Sequence, residues 1–180
     1  MNTWFTSDLH LGHANIIKFC DRPFKDVEQM NKTLVRNWNE RVKAEDTVFH
    51  VGDFCFKNSA GGKVGEGQQT AASKWEQQLN GKIIFVQGNH DNNNGCKTPI
   101  YNITIKMGGY RIQLIHNPEH IVVSNYDIYF IGHMHNAWVT KTYKVQFGIA
   151  ECVNVGVDVH KFRPVSFSEL MKIYHNNRKE

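Results

Sequence analysis

The sequence predicts a layered α/β domain with a mixed sheet or two sheets. Three observations lead there. Short apolar runs alternate with a helical repeat in the first half, giving the order β-α-β-α-β. Strand-like segments then dominate, followed by one closing helix. Finally, five of the strands end in Asp, Asn or His, at the edge where open α/β sheets bind ligands.

The elements follow in order. Thr3–Thr6 reads as a first strand. Over residues 26–42 the apolar positions Val27, Met30, Leu34, Trp38 and Val42 recur every three or four residues, one face of an amphipathic helix. Thr47–Val51 is a second strand. The Gly-rich "KNSAGGKVGEGQQTAAS", residues 57–73, reads as a loop. A short helix over 74–79 leads through Asn80-Gly81 into a strand over 82–87, which contains Ile83, Ile84, Phe85 and Val86. Two alternating segments then flank Gly108-Gly109, a two-residue hairpin turn. Residues 127–131 form another apolar strand, and 138–147 with 152–155 a late pair. Ser166 and Glu169 match a capping box that opens a final helix, with Leu170 and Ile173 on its apolar face; the tail from His175 is polar and expected to fray.

A chain of 180 residues with 41% hydrophobic content suits one globular domain, 1–180. The net charge of +4 comes from mixed signs without a Lys/Arg block, so no nucleic-acid or membrane tail is marked. Cys20, Cys55, Cys96 and Cys152 show no CxxC spacing, which reads as four reduced thiols. "MNTWFTSD" has neither the charged nor the apolar region of a signal peptide, and no stretch has the length of a membrane span. The expectation is a soluble, cytoplasmic protein without a membrane partner. No feature of the sequence marks an oligomeric state.

The polar clusters carry the chemistry. They are Asp8-Leu9-His10, Gly52-Asp53, Gly88-Asn89-His90-Asp91, His116, and Gly132-His133-Met134-His135. Any one of them alone suits a turn, a cap or a surface group. Five strand ends choosing ligand types together do not. Asp8, His10, Asp53, Asn89, His116, His133 and His135 make seven oxygen and nitrogen donors, more than one ion needs. They suit two divalent ions, Mn2+ first, with Fe, Ni, Zn or Mg as alternatives. Such a pair, bridged by a carboxylate, clamps the attacking and leaving oxygens of a phosphoryl displacement and activates a bridging water.

The five blocks D-x-H, G-D, G-N-H-D, H and G-H-x-H resemble the calcineurin-like metallophosphoesterase family. "TSDLHLGHANIIKFCDRPF" and "NVGVDVHKFRPVS" are similar to its small single-domain bacterial and phage members, and the similarity covers nearly the whole chain. The resemblance implies an αββα sandwich of two mixed sheets with helices outside and the dimetal site at strand carboxyl ends. It implies that Asp8, His10 and His135 hold the first metal, that Asn89, His116 and His133 hold the second, and that Asp53 bridges. His90 would contact the phosphoryl group or protonate the leaving group, and Asp91 would orient His90. His13 would contact substrate, against a role as a polar group at a helix start. Two departures stand out. His116 is followed by Asn117-Pro118, where many members have a small or aromatic residue before the Pro. The segment "VTKTYKVQFGIAEC" is also long, and suits a hairpin beside the site or at a subunit interface.

Arg22 is a candidate phosphate-binding residue, against a structural ion pair. His50 alternates with Phe49 and Val51 and reads as a core residue. His120, His160 and His175 read as solvated, Arg163 as structural and Cys55 as a buried thiol. The function expected is a two-metal phosphoesterase that uses a metal-bridging hydroxide. Phosphodiesters are favoured over monoesters because no inserted cap is visible, with nucleotides or oligonucleotides as candidate substrates. The main rival is a catalytically silent metal-binding scaffold for protein partners, disfavoured by the complete ligand set. A nucleic-acid-binding protein would need a basic stripe with interleaved aromatics, and none is visible.

Overall fold

The computed structural model describes residues 1–56, 70–96, 98–122 and 125–177. The expected 57–73 loop lies outside the described residues as far as 69. Along the chain the elements are β1 (Thr3–Thr6), α1 (Asn15–Phe19), α2 (Val27–Arg41), β2 (Thr47–Val51), α3 (Ala72–Glu76), β3 (Lys82–Val86), β4 (Asn102–Met107), β5 (Tyr110–Ile115), β6 (Ile128–Ile131), β7 (Thr140–Val145), β8 (Gly148–Asn154), β9 (Val165–Ser166) and α4 (Phe167–Asn177).

Two mixed sheets result, flanked by helices, in agreement with the expected class. The first has the order β3-β2-β1-β9, with β1 parallel to β2, β2 parallel to β3, and β9 antiparallel to β1. The second has the order β4-β5-β6-β8-β7, with a parallel centre and an antiparallel hairpin at each edge. Strand alternation divides the core. Phe5, Val51 and Val86 of the first sheet meet Ile112, Leu114, Ile128, Phe130 and Val153 of the second, joined by Leu170, Met171 and Tyr174 of α4. The other face of the first sheet, Trp4 and Val48, packs on Ile16 of α1, on Met30, Leu34 and Trp38 of α2, and on Trp75 of α3. A smaller cluster of Ile115, Tyr129, Ile131, Ala150 and Cys152 occupies the other face of the second sheet.

Local chemistry sets the element ends. Asp26 caps α2 by accepting from Gln29 N–H at 2.8 Å. The helix expected over 74–79 starts earlier, at Ala72, and tightens beyond Glu76 into three-residue turns, Trp75 O to Gln78 N at 3.0 Å and Glu76 O to Leu79 N at 3.1 Å. Gly108 and Gly109 both take positive φ, as the tight turn joining β4 to β5 requires. The capping box closes reciprocally: Ser166 N–H donates to Glu169 Oε2 at 2.9 Å and Glu169 N–H to Ser166 Oγ at 3.3 Å. The polar tail is helical through Asn177 rather than frayed from His175, and the late segment forms the β7–β8 hairpin at the sheet edge. No helix among the described residues is long and apolar enough to cross a membrane.

Candidate metal centre

Both sheets point strand carboxyl ends at one place. β1, β2 and β3 deliver Asp8, Asp53 and Asn89; β5 delivers His116 and β6 delivers His133 and His135. The turn after β1 pairs with the turn after β2 through Asp8 N to Gly52 O at 3.0 Å, His10 N to Asp53 O at 3.1 Å and Leu11 N to Phe54 O at 3.1 Å.

Five of the seven candidate donors, Asp8, His10, Asp53, His133 and His135, have φ between +45° and +69°. Non-glycine residues seldom occupy this left-handed region, and each costs on the order of 1–3 kcal/mol. The gain is direction. The left-handed turns at positions 8 and 10 send Asp8 and His10 to the site while Leu9 between them is buried in the core.

The donors form two overlapping groups. Donor atoms of Asp8, His10 and His135 lie within 4.8 Å of one another, as do those of Asp8, Asp53 and His116. Asp53 Oδ2 is 3.6 Å from His10 Nε2 and 3.4 Å from His116 Nε2. Asn89 Oδ1 is 3.0 Å from both His116 Nε2 and His133 Nδ1. Burial grades outward: Asp8, His10, Asp53 and His116 are buried, His133 and His135 are half-buried, and Asn89 and His90 are exposed.

This donor set fits divalent metal. His10 is 2% exposed, and neither of its ring nitrogens has a hydrogen-bond partner among the described residues. An orphaned buried imidazole is costly unless a cation takes its lone pair. His116 donates Nδ1–H to Val51 O at 2.8 Å, so Nε2 meets two acceptor oxygens. Burial alone pushes the His116 pKa down, but Asp53 and Asp8 outweigh it and hold the group at about 9. A proton resolves the clash of lone pairs; a metal ion would resolve it in the proton's place. Burial raises the Asp53 carboxyl, yet the His116 hydrogen bond and the charges of His116 and His10 hold it far below the ordinary range. Burial raises Asp8 and lowers His10.

Two expected roles are corrected. The Asp91 carboxylate does not orient the His90 ring directly. Its carboxylate accepts from Gly88 N–H at 2.7 Å, Asp53 N–H at 3.0 Å and Phe54 N–H at 2.9 Å, tying the two loops together. Those amides sit at the loop crossing and consume the carboxylate. His90 is instead held through its backbone, N–H to Asp53 Oδ1 at 3.0 Å and O to Asn94 Nδ2 at 2.8 Å. Arg22 does not face substrate. Its side chain is fully buried, and all five guanidinium donors are spent on Asp158 Oδ1 and Oδ2, Asp8 O, Leu9 O and Met30 Sδ.

His13 lies near the site, its ring stacked on Phe56 at 4.3 Å and 5.8 Å from the His10 ring. His50 is a packed core residue against Phe54 and Phe85, and burial lowers its pKa to about 3. His160, expected in solvent, is buried with Nε2 2.7 Å from Asn154 O. All four cysteines are free and buried; burial pushes Cys55 up to about 12.

Sequence reasoning missed three residues. Asp158 Oδ2 lies 3.1 Å from His135 Nδ1. Asn154 Nδ2 donates to His135 O and Trp138 O at 2.9 Å each, fixing the loop that carries His135. Ser7 Oγ donates to Asp8 Oδ2 at 2.6 Å. For Asn154 and Asp158 the available signal was polar residues amid valines in "NVGVDV".

A family model described as the calcineurin-like phosphoesterase superfamily domain matches residues 1–161. An uncharacterized protein of Methanocaldococcus jannaschii is 36% identical over 175 residues, covering 97% of this chain and 92% of that protein. The gene 66 protein of Mycobacterium phage L5 is 38% identical over 90 residues, 50% of this chain and 40% of that protein. A solved structure, a protein of unknown function from Aquifex aeolicus, shares the fold with a TM-score of 0.66 at 24% identity, over 96% of this chain and 98% of that one. A family match running from the first strand past the last candidate ligand, over this arrangement of strand-end donors, places the chain in the calcineurin-like phosphoesterase superfamily.

Proposed function

We propose that this chain is a two-metal phosphoesterase favouring phosphodiesters over monoesters, with nucleotides or oligonucleotide ends as candidate substrates and Mn2+ as the working metal. The observation that carries the reading is the place of one oxygen. Asp53 Oδ2 lies between His10 Nε2 at 3.6 Å and His116 Nε2 at 3.4 Å, one from each half of the donor set. Asp8, His10 and His135 would hold one ion, Asn89, His116 and His133 the other, with Asp53 shared. Two ions bound there supply Lewis-acid stabilisation of the phosphoryl oxygens and a water acidic enough to attack.

The chain's own groups do the rest. His90, exposed at the rim with its ring 5.8 Å from that of His10, donates a proton to the leaving oxygen. Asp91 holds the turn that presents His90, and His13 lines the approach. The exposed rim at Asn89 and His90 leaves room for a second ester arm, which supports the diester preference. A cavity of about 340 Å³ adjoins Asn89 and His116, lined in part by Tyr101, Asn102, Asn117 and His120. Its exposed Tyr101 ring and amide groups suit a planar, hydrogen-bonding substituent such as a nucleobase.

The test compares an aryl phosphodiester with its monoester on Mn2+-loaded protein, alongside His90→Ala and Asp53→Asn. Diester turnover should exceed monoester turnover. His90→Ala should keep its metal and lose on the order of 10²–10⁴-fold in turnover. Asp53→Asn should lose metal and turnover together. Undiminished turnover in His90→Ala would sink the role given to that residue. Silence towards both esters in protein verified to hold two ions would favour the scaffold reading.

A further inference from the structure

We propose that the buried Arg22–Asp158 pair is a positioning device for one half of the metal centre, locking His135 and Asp8 in ligating geometry. The inference rests on the preceding reading that Asp8, His10 and His135 hold a divalent ion.

The pair is built for something other than stability. The Arg22 and Asp158 side chains are 0% and 2% exposed. A buried ion pair is weak evidence for stability, because desolvating both charges offsets their attraction. This pair is fully satisfied, and two of the bonds beyond the pair itself reach the proposed ligands Asp8 and His135. Asp158 Oδ2, already 2.9 Å from Arg22 Nη2, also takes the Nδ1 side of the His135 ring at 3.1 Å. That leaves His135 Nε2 for a metal and makes the imidazole a stronger donor. The same guanidinium donates from Nη2 to Asp8 O at 2.7 Å and from Nη1 to Leu9 O at 3.0 Å. Asp8 and His135 are left-handed, at φ +57° and +45°, so each needs an external tether to stay there. One guanidinium tethers Asp8 directly and, through Asp158, the ring of His135, whose backbone Asn154 holds.

Among the described residues, no such guanidinium–carboxylate pair reaches the other half of the centre. The Nδ1 of His116 rests on a neutral carbonyl, Val51 O at 2.8 Å. The two metals should therefore respond differently to loss of Asp158. Donor atoms of Cys20, His135 and Asp158 also lie within 4.8 Å of one another. Arg22 claims both Asp158 oxygens, so that carboxylate orients His135 rather than ligating metal.

The test titrates metal-free, full-length protein with Mn2+ by calorimetry, comparing wild type with Asp158→Ala and Asp158→Asn. Wild type should take up two equivalents. Asp158→Ala should weaken one of them about 10- to 100-fold and leave the other within about twofold; Asp158→Asn, which keeps an acceptor oxygen, should lose less. Equal weakening of both equivalents, or of neither, overturns the proposal. Wild type that takes up fewer than two ions overturns the dinuclear reading itself, and this inference with it. A second readout needs no variant. In Zn2+-loaded wild type, nitrogen-15 NMR should show His135 protonated at Nδ1 and metal-bound at Nε2. The opposite assignment refutes the device even if Asp158→Ala does not fold.

Discussion

Removing Arg22 should be among the most damaging single changes to the fold of this protein. Consider Arg22→Met, which keeps the bulk of the side chain and deletes five donated bonds. Asp158, 2% exposed, is left as a buried carboxylate with His135 Nδ1 as its remaining partner among the described residues. Breaking a buried pair from one side costs about 3–5 kcal/mol. For a chain of this size that lowers Tm by roughly 6–20 °C. Replacing both partners, Arg22→Met with Asp158→Leu, removes the unpaired charge. What remains is two carbonyls, Asp8 O and Leu9 O, short of a donor as in the single variant, and the half-buried His135 Nδ1 without its acceptor, at about 1 kcal/mol each. The double variant should therefore be more stable than Arg22→Met alone. Urea melts of the metal-free proteins measure this. If Arg22→Met lies within about 1 kcal/mol of wild type, or the double variant costs the sum of the singles, the reasoning about the buried pair is wrong.

Other predictions follow from neighbouring features. A Cβ on Gly88 would collide with the backbone nitrogen and carboxylate of Asp53, whereas one on Gly95 meets nothing within 4 Å. Gly88→Ala should thus lose bound metal, and Gly95→Ala, at φ +81°, should cost only about 1–2 kcal/mol with metal content unchanged; elemental analysis and melts separate the two. Burial raises the Glu169 carboxyl, but Ser166 N–H and Arg41 outweigh it and lower it from 4.5 to about 2. A depressed carboxyl contributes stability above its unfolded value, so this share is present above about pH 4.5 and lost as pH falls through about 2. Glu169→Gln should flatten the fall in Tm over that window, and an unchanged slope would exclude the mechanism. Mn2+ at one hundred times its Kd should stabilise the protein by about 2.7 kcal/mol, raising Tm by about 5–10 °C. A chelator should reverse the shift, and Asp53→Asn should abolish it.

Much of this was legible in the order of residues. Apolar runs stopping at Asp8, Asp53, Asn89, His116 and His133 marked the strand ends and the candidate donors together, because both signals are local. The Gly108-Gly109 turn and the Ser166–Glu169 box are likewise local chemistry, and each formed where its residue types required. Strand β9 was not visible and helix α1 was marked only by a helix start near His13, since two-residue and five-residue elements carry too little periodicity to register.

The sequence by itself determined which chemistry this chain carries: oxygen and nitrogen donors at strand ends, in a layered α/β domain. Tertiary structure decided which charges face that chemistry. Arg22 and Asp158 lie 136 positions apart and form a bidentate pair beneath the donors, so a candidate phosphate binder became a tether. Asp91 turned away from its neighbour His90 to bind the amides of residues 53 and 54. Residue type sets what a group can bind, but burial and the competition of distant partners for its lone pairs and protons settle what it does bind, and those arise only once the sheets have closed on each other.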